Sequence, residues 1–276
     1  LTRAADALGN NQPNVSRTLD RLERQLGCRL FERGHGGVVL TPEGERLEAH
    51  VAVALEQLRE GEAELADRTA LAHGTVSLGA SETALRLFLL EKLRAFHARH
   101  PEIRLRISNH STPQAIAALG AGAVDFAVVT TPTDAGRPFV ETPLLTFREI
   151  PVAGRAFKEL CGRRCRLKDL ARLPLVCLGR GTMTYEFYAR LFLRHGLVLA
   201  PDTEAATADQ VLPLVEAGLG VGFVPESSVR EALRRGHVFR VDLVEAVPPR
   251  CVCLITDPRH PLGAAARALA DLLTAP

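Results

Sequence analysis

The sequence of 276 residues has room for roughly one to three domains, and its 46% hydrophobic and 24% charged residues are typical of a folded globular protein rather than a disordered chain. The formal net charge of +2 neither indicates nor excludes a nucleic-acid partner, because nucleic-acid-binding surfaces are local patches. Apolar runs stay well short of the ~20 residues that span a bilayer, and the first residues carry no signal-peptide pattern, so we predict a cytoplasmic protein without a membrane partner.

The first elements of the chain are predicted to be two short helices. Residues 2–8 form the first, which is closed by Gly9, a residue suited to the left-handed turn after a helix. The second begins at Asn11, a good N-cap, and Pro13 fits its first turn because proline lacks only an N–H that would be unpaired there. One face of this helix is apolar and is expected to be buried, through Val15, Leu19, Leu22 and Leu26.

A hairpin and a long helix follow. Two short apolar runs, 30–31 and 38–40, are separated by glycines and predict a small β-hairpin, or wing. Thr41 and Pro42 predict the start of a long helix, which Gly74 ends. Its apolar residues alternate in steps of four and three: Leu47, Val51, Ala54, Leu58 and Leu65. This heptad pattern favours a dimerisation helix over one that is simply buried in its own domain.

The remainder of the chain alternates between strands and helices, which predicts parallel strands joined by crossover helices. The pattern occurs twice. In each copy a glutamine is followed eight residues later by a glycine, Gln114 to Gly122 and Gln210 to Gly218, before a buried strand. Two similar α/β lobes with a cleft between them are therefore expected.

The segment TRAADALGNNQPNVSRTLDRLERQLGCRLFERGHGGVVLTPEGERL, residues 2–47, carries a recognisable order of motifs. It contains an alanine pair, a Gln-Pro step at the start of the second helix, Ser-Arg a turn later, the pattern LE..LG..LFER and a Leu-Thr-Pro-x-Gly step. In these features the chain resembles the LysR-type transcriptional regulators, and the order of strands and helices extends the resemblance over essentially the whole chain. The family begins with one more helix, so the DNA-binding domain is expected to be incomplete at its N-terminus.

The resemblance implies an α/β protein made of a winged helix-turn-helix, a linker helix and a two-lobed effector domain similar to periplasmic binding proteins. Proline-bearing segments around Ile150 and Pro249 are the predicted crossings between the lobes, and the last helix is predicted to pack on the first lobe. The predicted boundaries are 1–41 for the DNA-binding domain, 42–73 for the linker and dimerisation helix and 75–276 for the effector domain, with lobe I at 75–148 and 251–276 and lobe II at 149–250.

The second helix is predicted to read double-stranded DNA. A helix in the major groove buries one face on its own domain and offers its N-terminal turns to base edges. Asparagine and glutamine can pair with adenine and arginine with guanine, whereas an arginine on the wing reaches a phosphate or the minor groove. For each residue taken singly, a solvated helix face is the alternative. The predicted DNA-binding residues are Asn11, Gln12, Pro13, Asn14, Arg17, Thr18, Arg21 and Arg33.

The cleft is predicted to bind a small-molecule effector. Ligands of open α/β sheets collect beyond the carboxyl ends of the strands, where hydroxyl side chains and free helix N–H groups suit a small anion. The predicted effector-binding residues are Ser81, Ser111, Thr112, Thr130, Thr131, Gly181 and Thr182. The alternative is that the serines and threonines are ordinary N-caps. A small organic acid is expected if Arg86 neutralises Glu82, and an amino acid or amine stays open.

Six cysteines lack the spacing of a zinc site, so we predict no metal and interpret them as reduced thiols that serve partly as small core residues. The resembling family includes peroxide sensors, whose reactive cysteine would stand here at Gly181 and Thr182. Cys177 lies within an apolar strand instead, which makes thiol sensing the weaker hypothesis. Cys161 and Cys165 could still meet on one helical face.

Taken together, the sequence predicts a DNA-binding transcriptional regulator that acts as a homodimer or homotetramer, with RNA polymerase as a candidate partner. Two alternatives stay open: a cytoplasmic small-molecule-binding protein of the same cleft fold, and a thiol-based redox-sensing regulator. The motifs of nucleophilic hydrolases, dinucleotide-binding proteins, P-loop proteins and zinc proteases do not occur, so we predict neither an enzyme nor a cofactor beyond the effector.

Overall fold

The computed structural model describes residues 9, 11–34, 37–66, 74–160 and 162–275, and the chain divides into two units, Leu1–Ala66 and Asp67–Pro276. We call them unit 1 and unit 2 and describe each by itself. The predicted helix over residues 2–8 lies outside the described residues. Within the described ranges, no helix combines the length and the apolar character needed to cross a membrane.

Unit 1 contains the predicted helix, wing and long helix. Its elements are α1 (Gln12–Leu26), β1 (Phe31–Gly34), β2 (Gly37–Leu40) and α2 (Pro42–Ala66). The Asn11 side chain caps α1 by accepting a hydrogen bond from the Asn14 amide at 3.0 Å, and Gly27 ends the helix with a left-handed φ of 71°. β1 and β2 pair as an antiparallel hairpin. Residues 67–73, the predicted end of the long helix, lie outside the described residues.

The close spacing of the motifs in unit 1 has a local physical cause. Glu23 Oε1 accepts hydrogen bonds from the amides of Leu30 at 2.7 Å and Phe31 at 3.1 Å, which ties α1 to the wing. A Cβ atom at Gly44 would lie 2.1 Å from the Leu30 carbonyl oxygen, so the first turn of α2 can approach the wing only with glycine there. Thr41 caps the same turn by accepting from the Gly44 amide at 3.0 Å.

The apolar face of α1 is less buried than predicted. Val15 and Leu19 are half-buried, whereas Leu22 is 37% and Leu26 49% exposed. The physical reason is a shortage of apolar partners, because Leu30 is the only fully buried hydrophobic side chain in the described part of unit 1. An exposed apolar face of this kind requires a cover that the described residues do not provide.

Unit 2 is built on two five-stranded sheets. Sheet I has the order β4-β3-β5-β14-β6 and sheet II the order β10-β9-β11-β7-β12, while β8 and β13 form a small third sheet. The strands are β3 (Gly74–Ala80), β4 (Ile103–Asn109), β5 (Phe126–Thr130), β6 (Val140–Phe147), β7 (Glu149–Gly154), β8 (Arg164–Cys165), β9 (Leu175–Leu178), β10 (Thr203–Ala205), β11 (Val221–Pro225), β12 (Val238–Arg240), β13 (Asp242–Leu243) and β14 (Arg250–Thr256). We call the parts built on sheets I and II lobe I and lobe II.

The helices of unit 2 cover both sheets. They are α3 (Glu82–Ala84), α4 (Leu90–Arg99), α5 (Thr112–Gly120), α6 (Leu167–Leu170), α7 (Met183–Arg194), α8 (Ala208–Glu216), α9 (Arg230–Arg234) and α10 (Ala264–Thr274). A π-helical segment, Leu85–Leu89, joins α3 to α4, and a 3-10 helix, Arg155–Leu160, follows β7. The last helix packs on sheet I as predicted, with Leu269 and Leu273 buried in the same core cluster as Val76 and Leu78 of β3.

The predicted parallel strands are present in both sheets, because β3 pairs in parallel with β4 and β5, and β9 pairs in parallel with β10 and β11. Each sheet also contains antiparallel pairs that the pattern did not predict, since β14 runs antiparallel to β5 and β7 runs antiparallel to β11. The predicted crossing segment around Ile150, residues 146–154, contains the passage between the two sheets, although most of it is the strand β7, whose six residues are all buried. The crossing is the single residue Arg148, since β6 ends immediately before it and β7 begins immediately after it.

The internal repeat at Gln114 and Gln210 marks the N-termini of two equivalent helices. Gln114 Oε1 accepts from the Ser111 amide at 2.9 Å, and Gln210 Oε1 accepts from the Ala206 amide at 3.0 Å. The glycines eight residues further on, Gly122 and Gly218, adopt left-handed φ angles of 71° and 84° after the helix ends. The repeated spacing therefore reflects a cap and a stop at the two ends of a helix of fixed length.

Candidate effector cleft and DNA-reading helix

A cavity of about 370 Å³ lies between lobe I and lobe II. Its walls are the segments that follow β3, β4 and β5 in lobe I and β9 and β10 in lobe II, so it occupies the carboxyl edges of both sheets. The predicted residues that line it are Ser81, Ser111, Thr112, Thr130, Gly181 and Thr182. Thr131 lies outside this lining, and its hydroxyl oxygen accepts a hydrogen bond from the Cys251 amide at 2.9 Å.

Several lining residues were missed in the sequence. Thr184 lies in the first turn of α7, two residues beyond Thr182, which caps this helix and is the last of the predicted residues. Ala206 and Thr207 follow β10, a strand of three residues that is too short to give a periodic signal. His110 and Arg180 also line the cavity and could have been found, because each follows a correctly predicted strand.

Three helices begin at the cavity. The first turns of α5, α7 and α8 contribute lining residues, and these helices are 9, 12 and 9 residues long. The N-terminus of a helix carries a partial positive charge and unpaired N–H groups, so the convergence of three such ends favours a negatively charged ligand.

Some of the predicted hydroxyls are occupied as caps. Ser81 Oγ accepts from the Ala84 amide at 3.3 Å. The Thr182 hydroxyl accepts from the Tyr185 amide at 3.2 Å and donates to the Gly179 carbonyl at 2.9 Å, which uses its hydrogen within the protein. The capping role that the sequence left open is therefore present at these two residues.

The carboxylate at the mouth of the cavity is neutralised. Glu82 pairs with Arg86 at 2.5 Å and accepts from the Asn109 side chain at 3.1 Å. Arg86 also lies 3.6 Å from Asp209 at the start of α8, so the pair spans the two lobes. The hydrogen bond that Arg86 donates to Glu82 raises the pKa of Arg86 above its ordinary value, and the guanidinium remains charged. Glu82 is thus a weaker obstacle to an anionic ligand than an isolated carboxylate would be.

A buried charged cluster contacts the lining residues Thr130 and Thr184, which we call the floor of the cavity, through Arg250. The side chains of Arg250 and Glu149 are 1% and 4% exposed, and their charged groups are 3.0 Å apart. The Tyr188 hydroxyl donates to the same carboxylate oxygen at 2.6 Å. Burial, followed by the charge of Glu149, raises the pKa of Tyr188 well above its ordinary value, so this hydroxyl stays protonated. No motif or periodicity in the sequence predicts this cluster.

Two of the described cysteines, Cys177 and Cys253, lie in surroundings that disfavour the reactive thiolate. Burial raises the pKa of Cys177 to about 12, which leaves almost no thiolate near neutral pH. Burial likewise raises the pKa of Cys253. Cys165 lies in the two-residue strand β8 rather than on a helix, and Cys161 lies outside the described residues. The predicted helical pairing of these two cysteines therefore has no support in the described part of the chain.

The entrance of α1 presents polar side chains outward. Gln12, Asn14, Arg17, Thr18 and Arg21 are all exposed, as is Pro13 in the first turn. Two of the predicted groups also have structural roles: Asn11 is the N-cap, and the Thr18 hydroxyl donates to the Asn14 carbonyl at 2.9 Å. Arg33 lies in β1, and its side chain is outside the described residues.

Comparison with known families accounts for both units. Residues 69–275 match the family described as the LysR substrate binding domain, and residues 1–45 match the bacterial regulatory helix-turn-helix proteins of the lysR family. The first match alone covers well over half of the chain. The chain therefore belongs to the LysR family of transcriptional regulators, which combine a DNA-binding helix-turn-helix with an effector-binding domain.

Individual relatives agree with this assignment. The HTH-type transcriptional regulator YofA of Bacillus velezensis is 27% identical over 89% of this chain and 82% of its own length. A probable hydrogen peroxide-inducible genes activator of Mycobacterium avium is 30% identical over 90% of this chain and 78% of its own length. A structure of full-length CbnR complexed with its target DNA matches with a TM-score of 0.72 at 20% identity, over 99% of this chain and 92% of that one, which shows the shared fold.

Proposed function

We propose that this regulator reads DNA through the entrance of α1 and responds to a small organic anion bound between lobe I and lobe II. The observation that carries the proposal is the convergence of three helix N-termini on one cavity. Bound ligand would favour one arrangement of the two lobes, and the regulator would pass this preference to its DNA-binding domains. The proposed boundaries are those predicted from the sequence, with Arg250 counted in lobe I because it begins a strand of sheet I.

The DNA contacts that we propose are made by Asn11, Gln12, Pro13, Asn14, Arg17, Thr18, Arg21 and Arg33. The exposure of the polar groups on α1 supports this assignment. Electrophoretic mobility shifts with the full chain and the DNA that flanks its gene test it. An arginine that reads guanine contributes about 1–3 kcal/mol, so Arg17→Ala is expected to weaken binding roughly tenfold or more.

A control variant separates a specific contact from a general charge effect. Arg104 is an exposed arginine in β4 of unit 2, and Arg104→Ala removes the same charge outside the DNA-binding unit. Its retardation should match that of the wild type. Failure of the wild-type chain to retard any flanking DNA at low salt, with or without metabolites, would contradict the proposal.

The effector contacts that we propose are made by Ser81, Ser111, Thr112, Thr130, Gly181 and Thr182, all of which line the cavity. A ligand that binds only the folded protein raises its melting temperature, so a thermal-shift screen of small carboxylic acids tests this part. An acid that stabilises the chain should also change its affinity for the flanking DNA. Stabilisation without any effect on DNA binding would favour a simple binding protein instead.

We propose further that the regulator acts in the cytoplasm as a dimer or tetramer and catalyses no reaction. The exposed apolar residues Val51, Leu55 and Leu58 of α2 support pairing with a second copy, because an isolated helix would leave them in water. Light scattering tests the pairing: Leu58→Glu should shift the wild-type assembly towards smaller species. An unchanged mass would contradict a role of this stripe.

A thiol-based response is the second candidate, because a relative is named as a peroxide-inducible activator. The high pKa of Cys177 and the threonine at position 182 argue against it here. The same mobility-shift assay separates the two candidates. Hydrogen peroxide should leave the affinity for DNA unchanged, and a reversible change abolished by Cys177→Ser would favour the redox function.

A further inference from the structure

The buried cation Arg250 contacts the two threonines at the floor of the cavity. We propose that Arg250 is a positioning residue that determines ligand class: it directs the hydroxyl hydrogens of Thr130 and Thr184 into the cavity, so that the floor favours an oxyanion such as a carboxylate over an amine. This inference rests on the proposed function, because it takes the cleft between the lobes to be the effector site.

The geometry joins one threonine from each lobe to a single nitrogen. Arg250 Nη2 donates to Thr130 Oγ1 at 2.8 Å and to Thr184 Oγ1 at 3.1 Å. Thr130 ends β5 of lobe I, Thr184 lies in the first turn of α7 in lobe II, and both line the cavity. The guanidinium therefore fixes two hydroxyl groups that a ligand would meet together.

The direction of the hydroxyl hydrogens follows from the chemistry of arginine. A guanidinium group only donates hydrogen bonds, so both threonine oxygens must accept from it. Their own hydrogens must then point away from Nη2. Among the residues that the structure describes, neither hydroxyl donates to a protein acceptor. Two hydrogens thus remain for a ligand, which must offer acceptors to satisfy them.

The charge distribution acts in the same direction. Glu149 balances Arg250 through Nη1, the nitrogen that does not contact the threonines. The positive end of the buried pair is consequently the end nearer to the cavity. Hydrogen bonds from hydroxyls that are themselves polarised by a cation are strengthened towards an anionic acceptor, whereas an ammonium group would meet like charge behind them.

Arg250 itself does not contact the ligand in this account. Its Nε donates to the Thr131 carbonyl at 2.7 Å, Nη1 binds Glu149, and Nη2 binds the two threonines. Its side chain is only 1% exposed. The residue therefore acts through Thr130 and Thr184 rather than as a direct partner of the ligand.

The test uses pairs of probes that share a carbon skeleton and differ in the sign of their charge. Benzoate is compared with benzylamine, phenylacetate with phenethylamine, and butyrate with butylamine, by calorimetric titration and thermal shift on the full wild-type chain. One hydrogen bond to a charged group corresponds to roughly tenfold in affinity, so the acid of the best pair should bind at least about tenfold tighter than its amine.

Variants of Thr184 supply the matched control. Thr184→Val keeps the shape of the side chain and removes the hydroxyl, so the preference for the acid should fall by about tenfold. Thr184→Ser keeps the hydroxyl and should retain the preference. Arg250→Lys keeps the charge but lacks the planar fork that bridges two oxygens, and it should also reduce the preference. A purely structural role of Arg250 would weaken the acid and the amine equally.

The outcomes are distinguishable. Equal affinity for the acid and the amine in the wild type, or an unchanged preference in Thr184→Val, overturns the role of Arg250 and leaves the effector cleft standing. If Arg250→Lys does not fold, the two Thr184 variants decide. Binding of no probe at all counts against the cleft as an anion site and against this inference with it, while the mobility-shift test of DNA binding is unaffected.

Discussion

The two lobes of unit 2 place opposite charges at equivalent positions. β14 is the fourth strand of sheet I and β7 the fourth strand of sheet II, and each is the first strand after the chain has crossed between the lobes. Arg250 is the first residue of β14, and Glu149 is the first residue of β7. The lobes thus share a topology, but at this position one contributes a cation and the other an anion.

This difference shows how two similar lobes are held together at their closest approach. Two like charges at these positions would repel each other in a site where neither can reach water. Opposite charges, each with additional hydrogen bonds, can be buried as a pair. Specific polar contact, rather than apolar packing alone, therefore joins the lobes at the floor of the cavity.

The largest effect is expected when one member of the pair is removed. Arg250→Met leaves Glu149 buried without its cation and should lower the free energy of unfolding by about 3–5 kcal/mol in urea denaturation. Glu149→Gln should also be strongly destabilising, because it leaves the buried guanidinium of Arg250, which cannot lose its proton, without an anion. The double variant Arg250→Met/Glu149→Gln should lose less than the sum of the two. Strict additivity would mean that the two side chains do not stabilise each other.

Two glycines that contact equivalent helices, Gly222 under α8 and Gly79 under α5, differ in the space available for a side chain. In lobe II, a Cβ at Gly222 would lie 2.8 Å from methyl groups of Val211 and Val215, so Gly222→Ala should cost about 1–3 kcal/mol. In lobe I, the nearest atom to a Cβ at Gly79 is His110 Cδ2 at 3.3 Å. Gly79→Ala should therefore cost no more than about 1 kcal/mol. Thermal unfolding of the two variants measures the difference, and the reverse order would contradict it.

The capping glutamines should behave alike, because they occupy the same place in the repeat. Gln114→Ala and Gln210→Ala each remove a side-chain acceptor for amides at a helix N-terminus. Each should lower the free energy of unfolding by about 0.5–1 kcal/mol. Urea denaturation of the single variants tests the equality. A large effect in one lobe only would show that the repeat is one of spacing and not of energetics.

The smallest effects are expected at two exposed ion pairs that connect the lobes. Arg86 lies 3.6 Å from Asp209, and Arg190 lies 3.1 Å from Asp134. All four side chains are exposed, so each pair is screened by solvent. Asp209→Asn and Asp134→Asn should each cost less than about 1 kcal/mol at low salt and nothing measurable at high salt. A loss that persists at high salt would contradict this assignment.

Much of the fold could be predicted because its signals are local. The Asn11 cap, Pro13 and the Gln114 and Gln210 spacing each act within a few residues, and the corresponding helices are present. The predicted crossing around Ile150 contains Arg148, but Pro151 hid the fact that residues 149–154 form the strand β7. Proline nevertheless fits this strand, since its carbonyl still accepts from the Val241 amide at 3.0 Å.

The cluster at the floor of the cavity could not be predicted for a different reason. The partners of Arg250 are 66, 101 and 120 residues away in the sequence. No periodicity or motif connects residues at such separations. A single arginine at the start of a strand is ordinarily predicted to be exposed to solvent. The cavity lining shows the same division. Most of the predicted residues at the ends of well-formed strands line the cavity, whereas every lining residue after the three-residue strand β10 was missed.

The single-residue link at Arg148 determines how the lobes can move. Rotation of one lobe against the other involves the backbone torsions of this residue, since β6 of sheet I ends immediately before it and the buried strand β7 of sheet II begins immediately after it. The return path over residues 244–249 ends in two prolines, whose fixed φ angles stiffen it. Arg250 and Glu149 adjoin these two links and therefore lie close to the axis of the rotation. Their contact can persist through a rotation that separates Arg86 from Asp209, a pair that adjoins neither link.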